Sequence, residues 1–152
     1  MASEASYLID TNILLRLSKK DDPNHAVVQS AVDALTKRGA QLCYTAQNIS
    51  EFWNVCTRLA SHNGFGLSIQ ETDARVQAIE LIMTLLPDNE EVYRVWRQLV
   101  VRNSVSGVQV HDARLAAAMQ VHGISHIVTL NQPDFARYAS IKIVHPEMVI
   151  QS

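Results

Sequence analysis

Very little in this chain points to a specialised scaffold. Two cysteines, Cys43 and Cys56, are its whole complement. They form no CxxC pair and sit among apolar neighbours, so both are expected to be reduced, packed thiols rather than parts of a disulfide or zinc framework. The four prolines and five glycines are scattered. With no Pro-, Gly- or Ser-rich linker, no internal repeat and no low-complexity tract, residues 1–152 read as one domain. No apolar run approaches the roughly 20 residues that span a bilayer, and the N-terminal "MASEASYLID" has neither a basic leader nor a long apolar core. A cytoplasmic protein without membrane association is the expectation.

Positive charge is not in excess either. Thirteen Lys and Arg against fifteen Asp and Glu give a formal net charge of -2, which argues against a protein held to nucleic acid by bulk positive charge. An enzyme acting on nucleic acid through a carboxylate cluster stays open, because bound divalent cations reverse the local sign of the field. Hydrophobic residues make up 47% and charged ones 18%, a composition that folds around a core.

Period and punctuation divide the chain into alternating strands and helices. Tyr7 to Asp10 reads as a strand and Asn12 to Leu17 as a short helix. A helix follows from about His25 to Arg38, with Val28, Ala31, Val32 and Leu35 on one face and Gly39 as its stop. "QLCYT" is a strand, and a helix from about Asn48 to His62 places Ile49, Phe52, Trp53, Cys56 and Leu59 along one stripe. Ser68 with Glu71 has capping-box spacing for a helix to about Met83, "TLLP" is a short strand, and Asp88 with Glu91 repeats the spacing for a helix to Arg102. "SGV" breaks the chain before a helix from Asp112 to Val121, stopped by Gly123. "HIVTL" and the start of "IKIVHPEMVI" are strands, with Pro146 opening a last helical turn. Such alternation predicts an α/β fold, a three-layer α/β/α sandwich around a central, mostly parallel sheet.

In open parallel sheets ligands bind beyond the carboxyl ends of the strands, and four segments deliver acids or amides there. Asp10 ends the apolar strand of "YLIDTNILL", where it serves either as a helix cap or as a functional carboxylate. Glu51 lies in the first turn after "QLCYT", although its helical phase sets it opposite the Ile49 and Phe52 stripe. Asp112 opens a helix at the centre of the Leu115, Ala116 and Met119 stripe, facing inward, where an isolated carboxylate is costly and needs a cap role, a basic partner or a metal. Asn131 and Asp134 follow "HIVTL". Carboxylates about 4 Å apart repel by roughly 4 kcal/mol at an effective dielectric of 20, so an acidic cluster takes up protons or binds cations. Hard oxygen donors favour magnesium or manganese over zinc.

With Asp10 in "IDTNILL", Glu51 in "NISEF", Asp112 in "HDARLAA" and "TLNQPDF" near the end, the sequence resembles the PIN-domain ribonucleases, most closely the VapC-type toxins of bacterial toxin-antitoxin pairs. The resemblance runs over nearly the whole chain, and its four segments occur in the family's order. It implies that Asp10, Glu51 and Asp112 hold divalent metal, Mg2+ or Mn2+, and that single-stranded or looped RNA is hydrolysed to a 5'-phosphate and a 3'-hydroxyl. By the same analogy Asp10 and Asp112 hold the main ion, and Glu51 orients it or the attacking water. Thr11 and Asn12 support the loop, and Thr129 and Asn131 approach from the neighbouring strand. The chain departs from the family pattern at Asn131, a weaker ligand than an acid, which leaves Asp134 or a water to complete the site. Arg16 and Arg114 either contact phosphate or neutralise the nearby acids. A cognate antitoxin protein inserting a peptide across the acidic groove, and a homodimer, are further implications; the apolar helices from Ser68 to Arg102 supply either the dimer surface or core.

Other signals carry less. His122 and His126 straddle Gly123 and lack the pattern of a zinc protease, and His111 beside a helix start reads as structural. "GFG" is too short for a dinucleotide loop. Phe52, Trp53 and Trp96 fit helix stripes as core or dimer contacts. Two other function classes compete: a non-catalytic RNA-binding module of the same fold, and an aspartyl-phosphate phosphatase. The second normally pairs its nucleophile with an Asp two residues on, where this chain has Asn12.

Overall fold

A computed structural model describes residues 5–151, so the expectations about the first four residues and Ser152 lie outside the described part. Five strands, β1 (Ser6–Ile9), β2 (Gln41–Thr45), β3 (Thr84–Leu86), β4 (His126–Val128) and β5 (Lys142–Val144), form one sheet in the order β3-β2-β1-β4-β5. Every pairing among them is parallel, and β1 at the centre is flanked on both edges. Strands buried on both faces read as continuous apolar runs, which is why "YLI" and "LCYT" show no polar alternation.

The period of two sends successive side chains into different layers. Tyr7 and Ile9 of β1, Leu42 and Tyr44 of β2 and Val128 of β4 enter one core with Ile13, Leu14, Val28, Leu35, Phe52 and Val149. Leu8, Cys43 and Ile127, the alternate residues, enter a second core with Val92, Leu99, Leu115, Met119 and Phe135. The first layer is built by α1 (Thr11–Ser18), α2 (His25–Lys37), α3 (Ala46–Thr57), α4 (Ile69–Ile82) and α7 (Pro146–Ile150), and the second by α5 (Glu90–Arg102) and α6 (Gln109–His122). This is the three-layer sandwich expected from the sequence. Both cysteines are free and buried.

The helix expected to run to His62 stops at Thr57. Arg58 is extended (ψ 143), and the chain folds back so that the Phe65 and Leu67 amides donate to the Val55 and Cys56 carbonyls. Gly64 permits this: a Cβ there would lie 2.0 Å from the Arg58 carbonyl oxygen. Leu59, assigned to the helix stripe, is 61% exposed. That helix also begins at Ala46, two residues before the expected Asn48, capped by Thr45, and two later helix starts shift as well. Asn89, not Asp88, caps α5 by accepting from the Val92 amide, which frees Asp88 to pair with Arg114. Helix α6 begins at Gln109, setting Asp112 inside its first turn rather than at its opening. The other capping box stands: Ser68 and Glu71 exchange bonds at the start of α4.

Candidate active site at the carboxyl edge of the sheet

Asp10 lies directly after β1, 7% exposed, and is both a cap and a site residue. Its Oδ1 accepts from the Thr11 amide at 2.8 Å, capping α1. Its Oδ2 accepts from the Thr129 hydroxyl at 2.8 Å and the Asn12 amide at 3.2 Å. Asn12 is held in turn by the Leu130 amide, which donates to its Oδ1, so the loop after β4 is stitched to the start of α1. Thr129 lies just past the β4 ladder, and its Oγ1 accepts from the Asn131 amide. A buried Asn48 side chain in α3 donates to Thr11 Oγ1 at 3.0 Å and caps its own helix through Thr45. Three segments distant in sequence therefore fix one carboxylate.

Burial pushes the Asp10 carboxyl above the usual range; the bonds from Thr129 and Thr11 oppose this, and the charges of Glu51 and Asp134 add to it. Asp112 is raised to about 7, first by burial and then by Asp134, Asp10 and Glu51, with the Arg137 guanidinium opposing. Four carboxylates from four segments act on one another at this edge. Asn131 is exposed and contributes only its backbone amide to the Thr129 bond, whereas Asp134, on the 3-10 turn Gln132–Phe135, belongs to the interacting set. The donors are hard oxygens, the chemistry that suits magnesium or manganese. Among the described residues no three acid, histidine or cysteine side chains are already gathered as a ligand cage.

Glu51 is exposed, as its helical phase predicts, yet it is not loose. Gln47 Nε2 donates to Glu51 Oε1 at 3.0 Å and to the His111 carbonyl at 2.9 Å, tying α3 to the start of α6 next to Asp112. Gln47 was not singled out from the sequence, although its i,i+4 spacing to Glu51 was a readable signal. Arg137 was also missed; its Nη2 donates to Gln109 Oε1 at 2.6 Å. Only folding brings it opposite Asp112. Arg16 and Arg114 do not neutralise the acids beside them in sequence. Arg16 pairs with Asp22 at 3.0 Å near the far end of α1, and Arg114 pairs with Asp88.

A set of acids at the carboxyl ends of β1, β2 and β4, on this strand order, is accompanied by a direct match: the PIN domain profile fits residues 7–141. The chain belongs to the PIN-domain family. Among its relatives, ribonuclease VapC31 of Mycobacterium tuberculosis is 31% identical over 147 residues, 93% of this chain and 99% of the relative. Solved structures share this fold, two of which illustrate it. VapBC2 from Rickettsia felis, bound to a DNA fragment from its promoter, aligns with a TM-score of 0.67 at 12% identity over 92% of this chain and 98% of that one. VapC20 of M. tuberculosis, described as a sarcin-ricin loop cleaving toxin, aligns at 0.63 and 15% identity over 87% and 95%.

Proposed function

We propose that this PIN domain is a divalent-metal-dependent endoribonuclease, the toxin of a VapBC-type pair, acting in the cytoplasm. The observation that carries the proposal is the convergence of four acids at one sheet edge: the charges of Glu51 and Asp134 help burial to raise both Asp10 and Asp112. A matching kinship to a VapC ribonuclease over nearly the whole chain supports it. Nothing observed favours the non-catalytic module.

Asp10 and Asp112 are the main ligands, with Glu51 and Asp134 completing the set. A bound Mg2+ or Mn2+ supplies a water of lowered pKa and charge stabilisation for the attacking and leaving oxygens. The protein's own part is positional. Thr11, Asn12 and Thr129 hold the Asp10 carboxylate in one orientation, so no rotamer search precedes each turnover. Glu51, steadied by Gln47, accepts a hydrogen bond from the attacking water and orients it toward phosphorus. With its carboxyl raised to about 7, Asp112 is only half charged near neutral pH in the metal-free protein, and a bound cation would favour the charged form.

An antitoxin partner belongs to the same proposal, since such complexes are the setting of the VapBC2 structure. So does a homodimer, for which exposed Leu81, Ile82 and Leu85 on α4 and β3 offer an apolar patch. No helix among the described residues is long and apolar enough to cross a membrane.

The test is cleavage of a mixed RNA pool by partner-free protein with magnesium or manganese, beside EDTA and the Asp10→Asn and Asp112→Asn variants. Metal-dependent cutting with 5'-phosphate ends, lost in either variant, is expected. Folded protein that cuts nothing at any metal concentration refutes the nuclease.

A further inference from the structure

The acid cluster explains where a phosphodiester is cut but not what holds the rest of an RNA strand against a chain of net negative charge. Beside the first turn of α6 lies a slot of about 350 Å³ between α5 and α6, walled by Tyr93, Trp96, Val110, His111 and the Asp88–Arg114 ion pair. It adjoins the acid edge through the start of α6: Asp112 directly follows His111, whose carbonyl Gln47 joins to Glu51. Trp96 is fixed as a wall: its Nε1 donates to the Val110 carbonyl at 2.9 Å. Tyr93 is 53% exposed and tilted against Trp96, ring centroids 6.2 Å apart. A large aromatic ring left half in water beside a preformed slot is a free stacking face.

The charge pattern continues from there. Tyr93 also borders a shallower groove along α5 of about 520 Å³, lined by Arg94, Arg97 and Arg102. Arg94 pairs with Glu90, whereas no ion pair engages Arg97 or Arg102 among the described residues. Beyond Glu91 the helix carries no acid at all. An exposed ring at the mouth of a slot, followed by unpaired guanidiniums, matches a strand that alternates bases and phosphates, because aromatic faces stack on any base while arginines track the backbone.

We infer that the α5–α6 slot is a nucleobase-binding subsite, with Tyr93 as the stacking face and Arg97 and Arg102 reaching the adjoining phosphates of a single-stranded RNA. The inference deepens the ribonuclease reading and rests on it for the identity of the strand, but its readout is binding rather than hydrolysis.

The experiment measures anisotropy of labelled oligoribonucleotide hexamers with the Asp112→Asn protein in EDTA, where no cutting occurs. A base-bearing hexamer is compared with an abasic hexamer of equal charge. Tyr93→Ala is expected to weaken the base-bearing hexamer about tenfold, the scale of a single base stack, while leaving the abasic one unchanged; Tyr93→Phe should bind as the parent does. Removing Arg97 and Arg102 should weaken both hexamers and flatten the dependence of log Kd on log salt by about 0.7 for each phosphate no longer neutralised. Equal weakening of both hexamers with Tyr93→Ala, no weakening of either, or no measurable affinity in the parent overturns the subsite. So does a change of sedimentation mass with Tyr93→Ala, which would assign this face to a second copy. Failure of the wild type to cut RNA with metal would refute the nuclease while leaving a base-dependent result in place.

Discussion

A carboxylate that accepts three hydrogen bonds is ordinarily acidic, yet Asp10 is pushed the other way, because burial and neighbouring negative charge outweigh the bonds it receives. Asp10→Asn should fold normally, since Asn caps a helix as well as Asp does, and should lose cleavage by at least about a hundredfold, the weight of a preorganised electrostatic contact; thermal melting beside the RNA assay separates the two effects. Thr129→Val removes the foremost opposing bond, so the Asp10 carboxyl rises further and the acid limb of the activity profile should move to higher pH. Asp112 offers a stability readout. Its folded-state value near 7 exceeds the ordinary 3.8, so between those values the folded protein binds the extra proton. Metal-free stability should therefore be fullest below about pH 4 and decline as pH rises through 7. Urea titrations across that window check the slope, and Asp112→Asn should flatten it.

Among the elements, α3 and α6 matter most because each brings an acid to the edge and Gln47 joins them. Gln47→Leu removes both bonds while keeping most of the bulk. A stability loss of about 1 kcal/mol is expected, with a larger fall in kcat than rise in KM, because Glu51 would no longer be held; steady-state kinetics with a short RNA reads the split. Helix starts were readable in the sequence at Asp10 and Ser68, each of which bonds an amide within three residues. The start of α3 was placed two residues late, at Asn48, because Thr45 was read only as the end of a strand. Later starts slipped by one at α5 and by three at α6. At α5, Asp88 and Asn89 are both good caps, and the contest is settled by Arg114, 26 residues away, which takes Asp88. Asn89→Ala should cost about 1 kcal/mol, measured by chemical denaturation, whereas Asp88→Ala should cost less because its ion pair is exposed at both ends.

For the molecule as a whole, two cores lie on opposite faces of one sheet, and each has a tryptophan packed against it, Trp53 on one side and Trp96 on the other. One sheet shared by both cores couples them, so the chain should unfold as a single domain. Fluorescence of Trp53→Phe and Trp96→Phe variants should give coincident denaturation midpoints; separated midpoints would mean that the two layers melt independently. Strand period and apolar runs were enough to anticipate the layers and the parallel sheet, because hydrophobic alternation is set residue by residue and survives any packing. They also drew attention to Asp10, which ends β1 and caps α1, and to Asp112, which lies in the first turn of α6 and not at its start. What periodicity misjudged was Leu59, and what it left unsaid was the tie on Glu51. The phase of Glu51 correctly put it in solvent, but phase does not report that Gln47 and the neighbouring helix hold it toward the acids. Leu59 fell out of its stripe because a backbone fold-back through Gly64 ended the helix early. The partners of Arg16 and Arg114, the place of Arg137 opposite Asp112, the action of the Asp134 charge on Asp112, and the slot beside Tyr93 all came from the packed chain. Each depends on a distance between residues far apart along the backbone, and such distances are fixed by the strand order and by how α5 and α6 lie on the sheet, quantities that no local pattern of residues encodes.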